Sequence, residues 1–365
     1  MQDRKPCNYG EYLKLDTLLS SQEPESLKAG KMAHDEMLFI IIHQTYELWF
    51  KQVLFELDSI REIFSETPLP TSRLQTVVSR FERINEILKV LVDQIRIIET
   101  MTPLDFMDFR DFLVPASGFQ SVQFKLLEAR LGLKASFRSE MERTFILSRL
   151  KPEERATVEA AEKEISLFEH VDQWLSRLPF TQSGNFDFWK DYEHAVNTML
   201  AGDEAIIQGN KTLDEGRKKM ELEILSLTRK SFTSLLNPVA FAEAQAAGLI
   251  KLSQKAMQSA VFIHLFRDLP MLQLPYKILS LMTDVDETLT AWRHRHAIMA
   301  HRLIGTKIGT GGSSGHDYLK RTTERNRVFI DLFNIATFLL PKSKIPALPA
   351  SILKTLDFEY DHGKT

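Results

Sequence analysis

Cysteine, glycine, proline and long apolar runs are all scarce in this chain of 365 residues, and each scarcity excludes something. Cys7 is the single cysteine, so no disulfide can close within the chain. The polar start Met1 to Gly10 carries no apolar core of a secretory signal, and a reducing, cytoplasmic setting is expected. The longest uninterrupted apolar run, residues 37–42, is six residues long, against the 18 or more that suggest a membrane span. A soluble protein is expected, with no membrane partner. Glycine (15) and proline (14) together make up about 8 % of the chain, where about 12 % is usual, so turns are few and elements long. Helices are favoured over many short strands.

Charge of one sign is also missing. Forty-six basic and 49 acidic residues leave a net charge of −3, with no basic footprint for a phosphate backbone, and nucleic acid is not expected as the main partner. The apolar share of 44 % and the charged share of 26 % are those of an ordinary globular protein, which excludes disordered and collagenous classes. The length allows two domains, although one large helical domain also fits.

What is present is helical periodicity. From Asp35 to Phe64, apolar residues recur every three or four positions, predicting a long helix whose first turns, residues 37–42, are apolar all round. After Pro68 and Pro70 a second helix is expected near Ser72 to Thr100, with Ser72 as its N-cap. Pro103 suits the first turn of a short helix capped by Thr102, and Ser117 and Gly118 open a helix near Phe119 to Leu131, stopped by Gly132. Residues 134–214 have weaker periodicity, more charge and breaks at Pro152, Pro179 and Gly184, the pattern of a peripheral helical insertion. A long helix resumes near Asp214 and runs to Asn237. Pro270 and Pro275 bound an expected loop, Leu279 to Ile304 reads as one helix, and Leu319 to Leu340 as a last amphipathic one. Five of the fifteen glycines fall between Gly305 and Gly315, the strongest local anomaly of the sequence.

Several residues could carry chemistry. His294, His296 and His301 share one expected helix, but their spacing does not let them grip a single ion together; they are solvated helix histidines, or one of them is the lone axial ligand that haem iron requires. His43 follows an apolar run, as a core histidine bonded to a neighbour or as one that lines an apolar pocket. Phe106 and Arg110 lie one turn apart, which suits an aromatic ligand with a carboxylate and equally a surface arginine resting on a phenylalanine. The Gly309 to Gly315 run lacks the lysine and the strand of a nucleotide loop, and is either a linker or a loop that closes over a ligand.

Five stretches taken together resemble the tryptophan 2,3-dioxygenase family: Tyr9-Gly10-Glu11-Tyr12-Leu13; Asp35 to Gln44 continuing through Tyr46 to Gln52; Phe109-Arg110 leading into Pro115 to Ser121; Trp292-Arg293 with His296; and the glycine-rich loop. The resemblance implies an oxidoreductase: an all-α, haem-binding helical bundle that inserts O2 across the indole C2–C3 bond of L-tryptophan to give N-formyl-L-kynurenine, opening the kynurenine pathway. It implies haem b with ferrous iron, His296 as the axial ligand of that iron, and Trp292 and Ser117 beside the haem. His43 would be the distal histidine that meets the indole N–H, with Phe39 and Phe106 as the walls. Arg110 would pair with the substrate carboxylate and Thr310 with its ammonium. Tyr9 and Tyr12 would reach the site of a neighbouring subunit from an arm at residues 1–20, in a homotetramer built as a dimer of dimers. The expected organisation is then one catalytic helical domain over residues 1–365, with 134–214 appended. A haem-based sensor or carrier is the alternative, since it needs the axial histidine but neither Arg110 nor Thr310.

Overall fold

The computed structural model describes residues 6–134, 143–144, 147–183, 186–305, 307, 323 and 325–358. Within them the fold is all-α, as expected, with one minor addition: β1 (Gln182–Ser183) and β2 (Phe186–Asp187) pair antiparallel over two residues each. In chain order the helices are α1 (Tyr9–Leu13), α2 (Leu15–Leu19), α3 (Glu25–Lys28), α4 (Glu36–Ser65), α5 (Thr71–Ile98), α6 (Pro103–Arg110), α7 (Val122–Leu131) and α8 (Pro152–Lys163). They continue as α9 (Leu167–Leu175), α10 (Phe188–Gly209), α11 (Glu215–Leu236), α12 (Pro238–Ala246), α13 (Gln254–Leu265), α14 (Pro270–Ile304), α15 (Ile330–Asn334) and α16 (Ala350–Leu356). No helix among the described residues is long and apolar enough to cross a membrane.

Most boundaries follow from capping chemistry. Thr102 caps α6, accepting the Asp105 N–H at 3.3 Å while the Asp105 carboxylate accepts the Thr102 N–H at 3.0 Å, with Pro103 in the first turn where no amide is missed. Gly132 ends α7 at φ 137, a backbone conformation open to glycine. Four expectations are corrected. Helix α5 begins at Thr71, and the Arg73 N–H donates to the Pro70 carbonyl at 2.9 Å, so Ser72 lies inside the first turn and is not its cap. The helix expected over 119–131 is split, because the Ser121 hydroxyl accepts the Phe124 N–H at 3.2 Å and starts α7 afresh after a short 3-10 turn at Gly118–Gln120.

The third correction concerns Pro275, which lies inside α14. With Pro270 as the first residue, the first four amides of the helix have no partner in it, so a proline at the sixth position forfeits one backbone bond, and the long apolar face beyond outweighs it. The fourth concerns the expected helix over 319–340. Residues 323 and 325 are helical, but the Val328 and Phe329 amides donate to the Asp286 carboxylate at 3.0 and 2.9 Å, which holds residues 326–329 out of helical geometry before α15 and a 3-10 turn at Ile335–Phe338. Residues 308–322 lie outside the described residues, and the fold does not close at Leu340 but continues to α16.

The chain forms two compact units. The first comprises residues 1–56, 86–164 and 287–327, and its core gathers Ile42, Ile95, Ile98, Phe109, Met299 and Leu303 from α4, α5, α6 and α14. Each such side chain contributes about 2 kcal/mol by leaving water. The second comprises residues 57–85, 165–286 and 328–365. There Phe188 meets Phe262 edge-on at 5.0 Å, and the buried Tyr192 hydroxyl donates to the Phe338 carbonyl at 2.6 Å. Residues 134–214 are divided between the two units at residue 164.

Candidate active site

The expected site residues that the structure describes all belong to the first unit. On α4, Phe39 and His43 are one turn apart, and their rings lie 4.1 Å apart. Phe39 also meets Phe106 at 5.7 Å and Phe109 at 5.5 Å, and the last two are edge-on at 5.3 Å. Helix α6 supplies both phenylalanines because 106 and 109 share its buried face, and this leaves half-buried Arg110 as its last residue. The result is an apolar wall with one imidazole set into it and a guanidinium at its end.

The His43 imidazole is oriented by the backbone. Its Nδ1 lies 2.7 Å from the Phe39 carbonyl, which can only accept, so Nδ1 carries the proton. In the neutral ring Nε2 is then left as an acceptor. Burial pushes the His43 pKa below its ordinary value, opposed in part by that carbonyl and by the Glu47 charge, so the neutral form prevails at pH 7. The ring can therefore take a hydrogen bond from a ligand N–H and is poorly suited to remain charged.

His296 lies on α14 and stacks against Trp292, one turn earlier, with ring centroids 5.3 Å apart and planes 3° from parallel. Trp292 is held in turn by Phe124 at 5.1 Å, Tyr46 at 6.0 Å and Phe50 at 6.2 Å. Burial, with the nearby His43 charge as a second cause, pushes the His296 pKa down to about 4. Both histidines are therefore neutral at pH 7. The Nδ1 of His296 is buried and has no hydrogen-bond partner among the described residues, while His294 and His301 are exposed. Among the described residues no three His, Cys, Asp or Glu side chains are grouped to hold a bare metal ion. A single neutral imidazole suffices where a macrocycle brings the other four nitrogens.

The remaining expected residues are not drawn together here. Tyr9 and Tyr12, on α1, are 74 % and 73 % exposed, which leaves their rings free of the His43 pocket of their own chain. Ser117 is half-buried and serves as a cap: its hydroxyl accepts the Phe119 N–H at 3.4 Å, and its own amide donates to Gln120. Thr310 and the glycines 309–315 lie outside the described residues. Sequence reasoning missed Phe109, which completes the wall around Phe39, and the Tyr46, Phe50 and Phe124 group around Trp292. The three-residue spacing of 106 and 109 and the four-residue spacing of 46 and 50 were the available signals.

The chain matches a family model described as tryptophan 2,3-dioxygenase over residues 2–339. It is 48 % identical to the tryptophan 2,3-dioxygenase of Alteromonas mediterranea over 354 residues, 97 % of this chain and 98 % of the relative. The tryptophan 2,3-dioxygenase of Dictyostelium discoideum is 48 % identical over 358 residues, covering 98 % and 90 % of the two chains. Tryptophan 2,3-dioxygenase B of Danio rerio is 42 % identical over 348 residues, covering 95 % and 85 %. With its neutral histidines each packed against aromatic rings and a match along nearly its whole length, this chain belongs to the tryptophan 2,3-dioxygenase family.

Proposed function

We propose that this chain is a haem-dependent dioxygenase that inserts O2 across the indole C2–C3 bond of L-tryptophan to give N-formyl-L-kynurenine, the first step of tryptophan catabolism. Family membership supports the reaction, and the two neutral histidines of the first unit, His43 against the phenylalanine wall and His296 stacked on Trp292, are the observation that carries its assignment to particular residues. The residues present fit a haem: His296 offers a neutral ring whose Nδ1 is buried and unpartnered among the described residues, beside the flat face of Trp292. His296 is the proposed axial ligand, with Trp292 and Ser117 beside a haem b. When bound with its iron ferrous, that group supplies the metal that takes up O2.

The protein residues bind and orient. His43 accepts the indole N–H at Nε2, because its Nδ1 is already committed to the Phe39 carbonyl. Phe39 and Phe106, with Phe109 behind them, wall the indole and keep water from its reacting carbons. Arg110 pairs with the substrate carboxylate through its planar fork, and Thr310 meets the ammonium. Carbon 3 of indole is already nucleophilic, so placement matters more here than a strong base. Exposed Tyr9, Tyr12 and Leu19 support an arm at residues 1–20 that completes the site of a neighbouring subunit in a cytoplasmic homotetramer.

The test is to supply L-tryptophan and O2 to the reduced, haem-loaded protein and identify the product by mass. N-formylkynurenine formed one-for-one with O2 consumed is the expected result. A coloured protein that binds O2 and leaves tryptophan intact would replace this reading with a haem-based carrier or sensor.

A further inference from the structure

His296 is placed by a helix that apolar packing alone does not fix in rotation. At about 100° per residue, Trp292, His296, Met299 and Leu303 fall within about 60° of one another around α14. Met299 and Leu303 are buried in the first unit's core. Such contacts are non-directional and tolerate a roll. A roll of about 10° would swing an imidazole some 7 Å from the axis by about 1 Å, enough to spoil a ligand's alignment.

Two arginines flank this face, Arg293 about 60° beyond one edge and Arg295 about 40° beyond the other. Each is tied to a carboxylate on a different segment. Arg293 is deeply buried: it donates to Glu128 Oε1 of α7 at 3.1 Å and to the Asn326 carbonyl at 2.9 Å, and both side chains of the ion pair are under 5 % exposed. Asn326 Nδ2 donates to the same Glu128 oxygen at 3.4 Å. The Arg293 guanidinium also lies 6.0 Å from the Phe124 ring, which itself packs against Trp292. Arg295 reaches Glu99, just past α5, at 3.1 Å, with 30 % and 21 % of the two side chains exposed.

A buried charge pair is directional and costs desolvation, so it is a poor source of net stability and a good source of fixed geometry. We propose that Glu128 and Arg293 are positioning residues for His296: the fork locks the roll of α14 and so sets the angle of the imidazole, with Arg295–Glu99 as a weaker stay on the opposite edge. The proposal rests on His296 as the axial ligand of the haem iron. Neither arginine is assigned a contact with haem or substrate, and the contacts described for them are with protein groups. Their contribution is an orientation, which spectroscopy of the iron–imidazole bond reads directly.

The experiment compares haem-loaded wild type with Glu128→Gln, Glu128→Asp, Arg293→Lys and Glu99→Gln. Two properties are read: the iron–histidine stretching band of the ferrous protein, and the rate at which haem passes to an excess of apomyoglobin. Glu128→Gln and Arg293→Lys should shift or broaden the band and speed haem loss about tenfold, the low end of what loss of a supporting partner costs a metal site. Glu128→Asp should fall between them and wild type, and Glu99→Gln should speed loss about twofold, as expected for a half-exposed pair. An unchanged band and loss rate in folded Glu128→Gln and Arg293→Lys, whatever their melting temperature, would overturn the proposal. Should both fail to fold, Glu99→Gln decides in the same way. His296→Ala separates the two layers: if it keeps haem with the band intact, the ligand assignment is what fails.

Discussion

In the second unit the buried carboxylates of Asp286 and Asp331 are engaged by backbone amides: both Asp286 oxygens by Val328 and Phe329, and Asp331 Oδ2 by Lys251 and Leu252, while Asp331 Oδ1 has no partner among the described residues. In the first unit His296 keeps a buried nitrogen with no partner among the described residues, and His43 keeps Nε2 as an acceptor. Burial exacts the same desolvation cost from polar groups in both places. The second unit meets most of it with backbone amides of its own chain, which makes those carboxylates structural, whereas the first leaves an imidazole nitrogen with no partner among the described residues. The same local motif occurs on both sides of this contrast: His264 Nδ1 lies 2.7 Å from the Ala260 carbonyl, as His43 does from Phe39. Only the neighbours differ, Tyr276 for His264 and the phenylalanine wall with His296 for His43.

The sharpest way to break the contrast is to remove the incomplete group. His296→Ala should purify without stable haem and lose measurable tryptophan turnover, while its helical circular dichroism stays that of wild type. A Soret band of wild-type intensity in this variant would show that His296 is no ligand. In the second unit the reverse pattern is expected. Asp331→Ala leaves the Lys251 and Leu252 amides without their acceptor and should cost about 3 kcal/mol in denaturant stability, with haem content unchanged. Loss of haem from this variant at temperatures where it is folded would erase the distinction between the units.

His43 sits between these extremes. Its proposed role is one hydrogen bond to the substrate, so His43→Ala should lower kcat/KM about tenfold, the worth of about 1.4 kcal/mol, and retain haem. A loss of many orders of magnitude in kcat would mean that His43 moves a proton and does more than orient the ring. Rescue by a substrate lacking the indole hydrogen, 1-methyltryptophan, is not expected in wild type but should be relatively better in the variant.

Much of this was readable from the chain alone, and what was not shares a physical cause. Helices α4, α6 and α11 followed from periodicity and caps, since each signal lies within a few residues of what it controls. Helical spacing put Phe39 and His43 on one face of α4, while their role as a pocket with Phe106 was legible through the family resemblance. The errors arose where a distant group overrode a local preference. The Asp286 carboxylate straightens Val328 and Phe329 from 42 residues away, and the long buried face of α14 carries Pro275. Phe124 against Trp292, and Glu128 against Arg293, are separated by more than 160 residues, a distance at which no periodicity speaks.

The smallest expected effect concerns a histidine that the contrast assigns to structure. His170 lies on α9 in the second unit, is buried, and has its pKa pushed below the ordinary 6.5 by burial first and by the Arg61 charge second, against a weaker pull from Glu169. The unfolded chain therefore binds this proton more readily than the folded one does. Stability due to keeping the ring neutral is fully present above pH 6.5 and is lost as pH falls through the lower folded value. His170→Leu keeps the volume and removes the titration, so its urea midpoint should fall less between pH 7.5 and pH 5.5 than that of wild type. The effect should be smaller than that of Asp331→Ala, and tryptophan turnover at pH 7.5 should not change. Equal slopes for the two proteins would place the acid sensitivity elsewhere, while a change in turnover would mean that the second unit's histidines are not confined to holding the fold.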